Sequence, residues 1–466
     1  MIYLDITRLI NRLEQATPTG IDRVELEYAK NILENGCLFC CQKGNDLFQV
    51  PRFLAKKLVD YLEKRWKSGG TEDCEFISRI RDWMNTLRNS GEQRQKKKQI
   101  LFLEKVATRS YKKRYGLVRK EGEAIQEIVP YLPKYLVVLL VILTPVLLSK
   151  ILNMKGDLIR GSVCWPKIFN EIWYLNVGHS GLEKKGFLYS LSKYSGLKIA
   201  IYLHDLLPIS HKHLFAKGTD KIHKIRMNNI ALYSDLIIAN SQFTKDSFQK
   251  LYAPKQRVEV LEIGVSQHLL KVDQDKECKR SGFVSIGTIE PRKNYLWLAE
   301  NWDALCKIYP DYMNGEKLTI FGKIGWLPQD QVNKLQSLES KGSLQLVSDA
   351  DDLTIQKALL SARAYVTAAE VEGWGMPLAE SLSLGTPVIA SDVPAHREVT
   401  CNKAVFFPYN DFSTFEKAIL NCYKREEYIQ MISQVENFEP WSWSIHFNSL
   451  KLLLSEDDQT PLVKLN

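Results

Sequence analysis

The sequence predicts an α/β protein: two Rossmann-like, doubly wound domains facing a cleft, with a basic and hydrophobic insertion in the N-terminal one. Three observations predict it. Short apolar runs recur at helix-length intervals in two separate series, and such runs read as parallel strands buried on both faces. A polar stretch, 271–280, divides the two series. The 466 residues amount to about three times the ~150-residue length of a usual domain.

In chain order, the first series opens with a strand at 2–5. Pro18-Thr19-Gly20 then introduces a helix over 21–33, followed by strands near 38–41 and 47–50 and a helix from 51 to about 65. After an interruption the alternation resumes at 172–175 and continues at 199–203, 236–239 and 258–261. The second series places strands at 283–286, 318–321, 344–347, 364–367, 388–390 and 404–406. The stretch 423–454 reads as helical and contains Trp441-Ser442-Trp443. The domains expected are 1–270, 280–435 and a C-terminal segment, 436–466, whose helix returns to the N-terminal domain.

Residues 66–165 fit neither series and read as an insertion. The chain carries +9 overall, yet the window 94–120 holds eleven basic residues against Glu104 alone, or +10, which leaves the remainder near neutral. The charge is local, and it excludes a protein coated in positive charge for nucleic acid; the window also lacks the interleaved aromatics that stack bases. An uncharged run of 15 residues follows at 135–149, interrupted by Pro145. It falls short of the ~20 residues that span a bilayer as a helix. A buried core helix and an interfacial or re-entrant anchor both fit it. Coming after the basic window, it makes 94–150 a segment expected to associate with an anionic membrane surface. Nine scattered cysteines and no secretory signal at the first residues point to the cytoplasm, at the inner face of the cell membrane. Cys37, Cys40 and Cys41 lie in an apolar run with no second Cys/His pair nearby, and read as strand rather than metal site.

The chemistry concentrates in Ala369-Glu370-Val371-Glu372-Gly373-Trp374-Gly375-Met376-Pro377-Leu378-Ala379-Glu380-Ser381. The run follows a strand and opens a helix. Gly373 and Gly375 let the backbone approach a ligand closely. Free N–H groups around Met376, Pro377 and Leu378 at the helix start would face an anion such as a diphosphate. Glu372 and Glu380 flank that cradle, and carboxylates suit hydroxyl-rich partners because each accepts several O–H bonds. A phosphate cradle between two hydroxyl readers fits a nucleotide sugar. Asp349-Ala350-Asp351 has the form that metal-dependent sugar transferases use, but its place after a strand and before a helix reads as a cap and base-side loop. No metal and no cofactor is expected.

With these residues the sequence resembles the retaining GT-B glycosyltransferases of family 4. Other matching runs are Leu384-Gly385-Thr386-Pro387, Gly287-Thr288-Ile289-Glu290-Pro291-Arg292-Lys293-Asn294, Leu203-His204-Asp205, Asp235 to Ser241 and Pro394-Ala395-His396-Arg397-Glu398. The loop from Pro18 to Val24 and the turn Asn176-Val177-Gly178-His179-Ser180 are similar to a bacterial surface-polysaccharide subgroup. The resemblance implies that Glu372 holds donor-sugar hydroxyls and Glu380 the ribose. Arg292 and Lys293 would neutralise the diphosphate leaving group, and His204 would contact a sugar hydroxyl or phosphate. Gly20 would admit the first-domain loop to the donor, and Asp22 and His179 would lie on the acceptor side. Many members carry an Arg where this chain has Thr288, so Arg292 would supply that charge. The implied enzyme is a retaining hexosyltransferase of lipopolysaccharide-type biosynthesis. It would move a sugar from a nucleoside-diphosphate donor, GDP-mannose being the first guess, to a lipid-linked glycan. An epimerase on the same fold and a non-catalytic membrane scaffold are the alternatives.

Overall fold

The computed structural model describes residues 1–68, 73–87, 172–194, 196–266 and 280–455. The segment 94–150 and its apolar run 135–149 lie outside the described residues, as does most of 66–165. The chain forms two compact units. One comprises Met1–Phe39, Arg52–Asp73 and Pro166–Asn466; the other comprises Cys40–Pro51 and Cys74–Trp165.

Thirteen strands, all within the described residues, build two sheets. The first contains β1 (Ile2–Asp5), β2 (Leu38–Lys43), β3 (Asp46–Val50), β4 (Ile172–Asn176), β5 (Leu197–Leu203), β6 (Leu236–Ala239) and β7 (Arg257–Val260), in the order β3-β2-β1-β4-β5-β6-β7. The second contains β8 (Phe283–Ile286), β9 (Leu318–Phe321), β10 (Leu344–Val347), β11 (Ala364–Thr367), β12 (Val388–Ser391) and β13 (Val405–Phe407), in the order β10-β9-β8-β11-β12-β13. The pairings from β1 through β4, β5 and β6 to β7 are parallel, as are those throughout the second sheet. Helices connect the parallel neighbours, as such crossovers require. These are the two doubly wound sheets that the apolar runs predicted.

The differences from expectation are local and have causes. Strand β5 begins at Leu197, two residues early, and Lys198 is accommodated there with its Nζ 5.4 Å from the centre of the Trp173 ring, which it overlies. The first crossover helix starts at Gly20 because Thr19 and Asp22 form a capping box: the Asp22 carboxylate accepts from the Thr19 N–H at 2.8 Å, and the Thr19 hydroxyl oxygen accepts from the Asp22 N–H. The following helix runs from Arg52 to Ser68, and its buried Trp66 donates Nε1–H to the Gln15 carbonyl at 3.0 Å. In the other compact unit, Lys43 Nζ donates to the Met84 and Leu87 carbonyls at 2.8 and 2.6 Å, satisfying the end of a helix, Cys74–Thr86, that no pattern announced.

The C-terminal helix, Trp443–Ser455, packs against the first sheet. Trp173 Nε1 donates to the Leu454 carbonyl at 2.9 Å, and the Val265 N–H donates to the Trp441 carbonyl at 2.8 Å. His446 is fully buried between the two: Nδ1 donates to the Glu262 carbonyl at 2.6 Å, so Nε2 accepts from the Tyr28 hydroxyl at 2.7 Å. Burial pushes this imidazole down to about 4, which keeps it neutral. His446→Ala is expected to lower the unfolding free energy by about 2–4 kcal/mol at pH 7. Because its folded pKa lies below the unfolded 6.5, the stability contributed by the ring is present above 6.5 and is lost as pH falls towards 4. Urea unfolding should therefore show the gap between variant and parent narrowing across that window; a gap independent of pH would mean that the ring is not held neutral.

Candidate active site

Strand β11 leads into the segment 368–375, and the helix Met376–Ser383 opens directly after it. Two glycines give this connection its shape. Gly375 sits at φ 95°, in the left-handed region, as the residue before the helix. At Gly373 the constraint is contact: a Cβ there would lie 2.5 Å from the His204 carbonyl oxygen and 2.9 Å from the Asp205 Cβ. Ser241 Oγ donates to the Gly373 carbonyl at 2.8 Å from the same side. The end of β5 therefore touches the turn after β11 through backbone, and the residue after β6 touches it through the Ser241 hydroxyl.

Glu372 is the centre of a buried charge cluster. Its carboxylate pairs with Arg292 Nη1 at 2.6 Å and with Lys293 Nζ, while Glu290 pairs with Arg292 Nε. Arg292 and Lys293 lie in the short 3-10 turn Pro291–Lys293 beyond the end of β8. Burial alone would push the Glu372 carboxyl up; Arg292, Lys293 and the ring of His396 outweigh it and hold the group at about 2. Burial raises Glu290, with Arg292 and Lys293 opposing. Two carboxylates and two cations thus cancel within the protein. The residues to which the resemblance gave separate jobs, one on the sugar and two on the diphosphate, are paired with one another.

The helix start is a narrower cradle than the sequence suggested. Pro377 has no N–H, and the Leu378 N–H donates to the Gly375 carbonyl at 3.0 Å. Further along, burial pushes the half-buried Glu380 up to about 7, with Arg23 opposing and Asp352 reinforcing the rise. Arg23 grips Asp352 in a bidentate pair at 2.8 and 2.5 Å. Gly20 faces Met376, whose sulfur would lie 3.5 Å from a Cβ at that glycine. Arg23, Asp352, Met376 and Glu380 line one open pocket. Asp351 caps the helix Asp352–Ser361 by accepting from the Thr354 N–H at 2.8 Å. Among the described residues, no group of three His, Cys, Asp or Glu could hold a metal ion.

Across the turn, His204 is buried and donates Nε2–H to the Val177 carbonyl at 2.8 Å, leaving Nδ1 as the acceptor. Burial lowers it to about 4, so it is neutral at pH 7 and suited to a hydroxyl rather than to fixed charge on phosphate. His179 lies with its ring centroid 5.1 Å from that of His204 and bonds the Tyr202 carbonyl through Nε2 at 2.8 Å. Asp22 is drawn into its own loop by Thr19 and by Arg8 Nε at 2.6 Å, so an acceptor would have to compete for it. Sequence reasoning gave no site role to Glu290, Arg23, Asp352 or His396, although Glu290 and His396 lie in the matching runs. Glu290 was within reach of it, two residues from Arg292; the Arg23–Asp352 pair, 329 residues apart, left no local signal. His396 lies fully buried with Nδ1–H on the Ser391 carbonyl and its ring edge against Gly375.

Residues 269–436 match the family model described as "Glycosyl transferases group 1". Over that stretch the chain is similar to the group 1 glycosyltransferases. The serotype-specific mannosyltransferase WbdA of Escherichia coli is 25% identical over 280 residues, covering 55% of this chain and 32% of that protein. The O-antigen chain mannosyltransferase RfbU of Salmonella typhimurium is 25% identical over 239 residues, covering 51% of this chain and 64% of that one. The chain thus spans about a third of WbdA and just under two thirds of RfbU. Among solved structures, a Staphylococcus aureus TarM mutant with UDP aligns at TM-score 0.49 and 14% identity, over 62% of this chain and 57% of that one. An Escherichia coli protein titled trehalose-6-phosphate, bound with UDP-2-fluoro glucose, aligns at 0.48 and 11%, over 62% and 74%.

The contact at Gly373 is directly testable. Gly373→Ala is expected to cost about 1–3 kcal/mol, because a methyl group has to displace backbone rather than a side chain. A melting temperature equal to that of the parent would show that the two chain segments are not in contact.

Proposed function

We propose that the protein transfers a sugar from a nucleoside-diphosphate donor to a growing, lipid-linked bacterial polysaccharide, with retention of anomeric configuration. The observation that carries this reading is Glu372 held at about 2 between Arg292 and Lys293 beside the Gly375 turn. An ionised carboxylate there accepts hydrogen bonds from sugar hydroxyls. The two cations supply fixed charge where the diphosphate departs. GDP-mannose is the donor we favour, since the relatives found are named as mannosyltransferases of O-antigen chains. The acceptor would meet the enzyme at the inner face of the cell membrane, with 94–150 as an attachment segment. Among the described residues no helix is long and apolar enough to cross a membrane.

The reaction we infer is a front-face substitution. The acceptor hydroxyl bonds to the anomeric carbon on the side from which the diphosphate leaves; the C–O bond to phosphate breaks, and the hydroxyl proton passes to the departing phosphate oxygen. Glu372 and neutral His204 orient the sugar, and Arg292 and Lys293 turn from Glu372 towards the leaving group as charge develops. Positioning and charge stabilisation of this kind lower barriers by about 7–11 and 3–4 kcal/mol. Product NMR is expected to show a retained anomeric configuration; inversion would end the mechanism. Donor conversion without acceptor would make the protein an epimerase, and failure to bind any nucleotide would make it a scaffold.

Glu372→Gln is expected to cut turnover by roughly 10²-fold or more. It should also destabilise the fold by about 3–5 kcal/mol, because two buried cations lose their partner. A nucleoside diphosphate should restore part of the lost melting temperature by replacing that negative charge. Unchanged turnover would place the sugar site elsewhere. Glu380, pushed up to about 7, is protonated below that pH and becomes a full acceptor for ribose hydroxyls above it. GDP-mannose affinity by calorimetry should therefore rise from pH 6 to 8, and Glu380→Gln should flatten the profile; the same rise in the variant would assign the titration to another group.

A further inference from the structure

The helix Gly20–Glu34 follows β1, and the helix Asp352–Ser361 follows β10 of the other sheet; an ion pair joins them. Arg23 Nη1 donates to one oxygen of Asp352 at 2.8 Å and Nη2 to the other at 2.5 Å, and the two side chains are 30% and 12% exposed. Glu380, on the helix Met376–Ser383, lines the same pocket. Its half-buried carboxylate makes no hydrogen bond to any of the described residues. Two carboxylates thus face one guanidinium, and both arms of the fork go to Asp352.

The other charges nearby are engaged elsewhere. Lys30 pairs with Glu27 at 3.0 Å and with Glu63 at 3.1 Å. Asp22, adjacent to Arg23, is held by Arg8 Nε at 2.6 Å and Arg12 Nε at 3.4 Å. Lys67 stands exposed at the pocket, where water screens its charge. Arg23 and Asp352 are therefore the charges that act on Glu380, and they act with opposite sign: burial raises it, Arg23 opposes the rise and Asp352 adds to it. Each half of the pair masks the effect of the other.

We propose that Arg23 and Asp352 are positioning residues for the ribose site: Asp352 holds the guanidinium off Glu380 and leaves that carboxylate open to hydroxyls, while Arg23 keeps a positive charge beside it. If Asp352 released it, Arg23 would close on Glu380 and compete with the ribose for the same oxygens. A helix of the first sheet thereby governs nucleotide affinity on the second. The inference rests on the reading of Glu380 as the carboxylate that takes the donor ribose.

GDP-mannose affinity, measured by calorimetry on the full chain across pH 5 to 9, tests it. The rise in the parent should have its midpoint at about 7. Arg23→Gln should move that midpoint up by about one pH unit, and Asp352→Asn should move it down by about as much. Asp352→Asn should also weaken binding on the alkaline plateau, because Arg23 then occupies the carboxylate. The double variant should return the midpoint towards that of the parent, and Arg23→Lys, which keeps the charge, should leave it in place. A pair that only braces the fold would not move the two midpoints in opposite directions. Both side chains are partly exposed, so melting temperatures near that of the parent are expected; if one variant fails to fold, the direction of the other decides. A rise that both single variants leave in place, or shift the same way, would overturn the proposal alone. A parent that binds GDP-mannose without the rise would overturn the ribose reading and this inference with it.

Discussion

The close approach of two backbones at Gly373 is the constraint on which the cleft depends. With no side chain at that position, the turn after β11 rests on the carbonyl of His204, and Ser241 fastens it from the end of β6. A parallel sheet gathers its loops at the carboxyl ends of its strands, and here the loops of both sheets meet at that edge. Once the two segments touch there, Glu372, His204 and the Gly375 turn are fixed in one neighbourhood.

That neighbourhood is electrically self-contained. Glu372 and Glu290 balance Arg292 and Lys293, and removing any one leaves a charge that burial makes costly. The balance gives the strong cations at the end of β8 partners within the protein. Under the proposed function a diphosphate would replace a carboxylate already paired with these cations. A donor of the proposed kind would have to compete with Glu372 for those counter-charges.

The sheets were legible because each strand is a short run of apolar residues with both faces buried, a pattern that survives without knowledge of neighbours. The same reading stumbled where a charge sat on a buried element, as at Lys198 in β5, and where a helix was stabilised from elsewhere, as Cys74–Thr86 is by Lys43. In the candidate site, Glu372, Glu380 and the glycines stood out by spacing within a single run. Asp22 stood out as well, but its carboxylate serves the capping box and Arg8, a local use that the residue type alone does not distinguish from a ligand contact.

By itself the sequence determined the two series of parallel strands, the order of the motifs and the residue types of the cleft, because these follow from local composition and short spacing. Only the tertiary structure decided which charges meet. Glu372 pairs with cations about eighty residues away, and Arg23 reaches Asp352 across more than three hundred. Such pairings depend on the separation of side chains in space, and Coulomb energy and burial respond to that separation and not to distance along the chain.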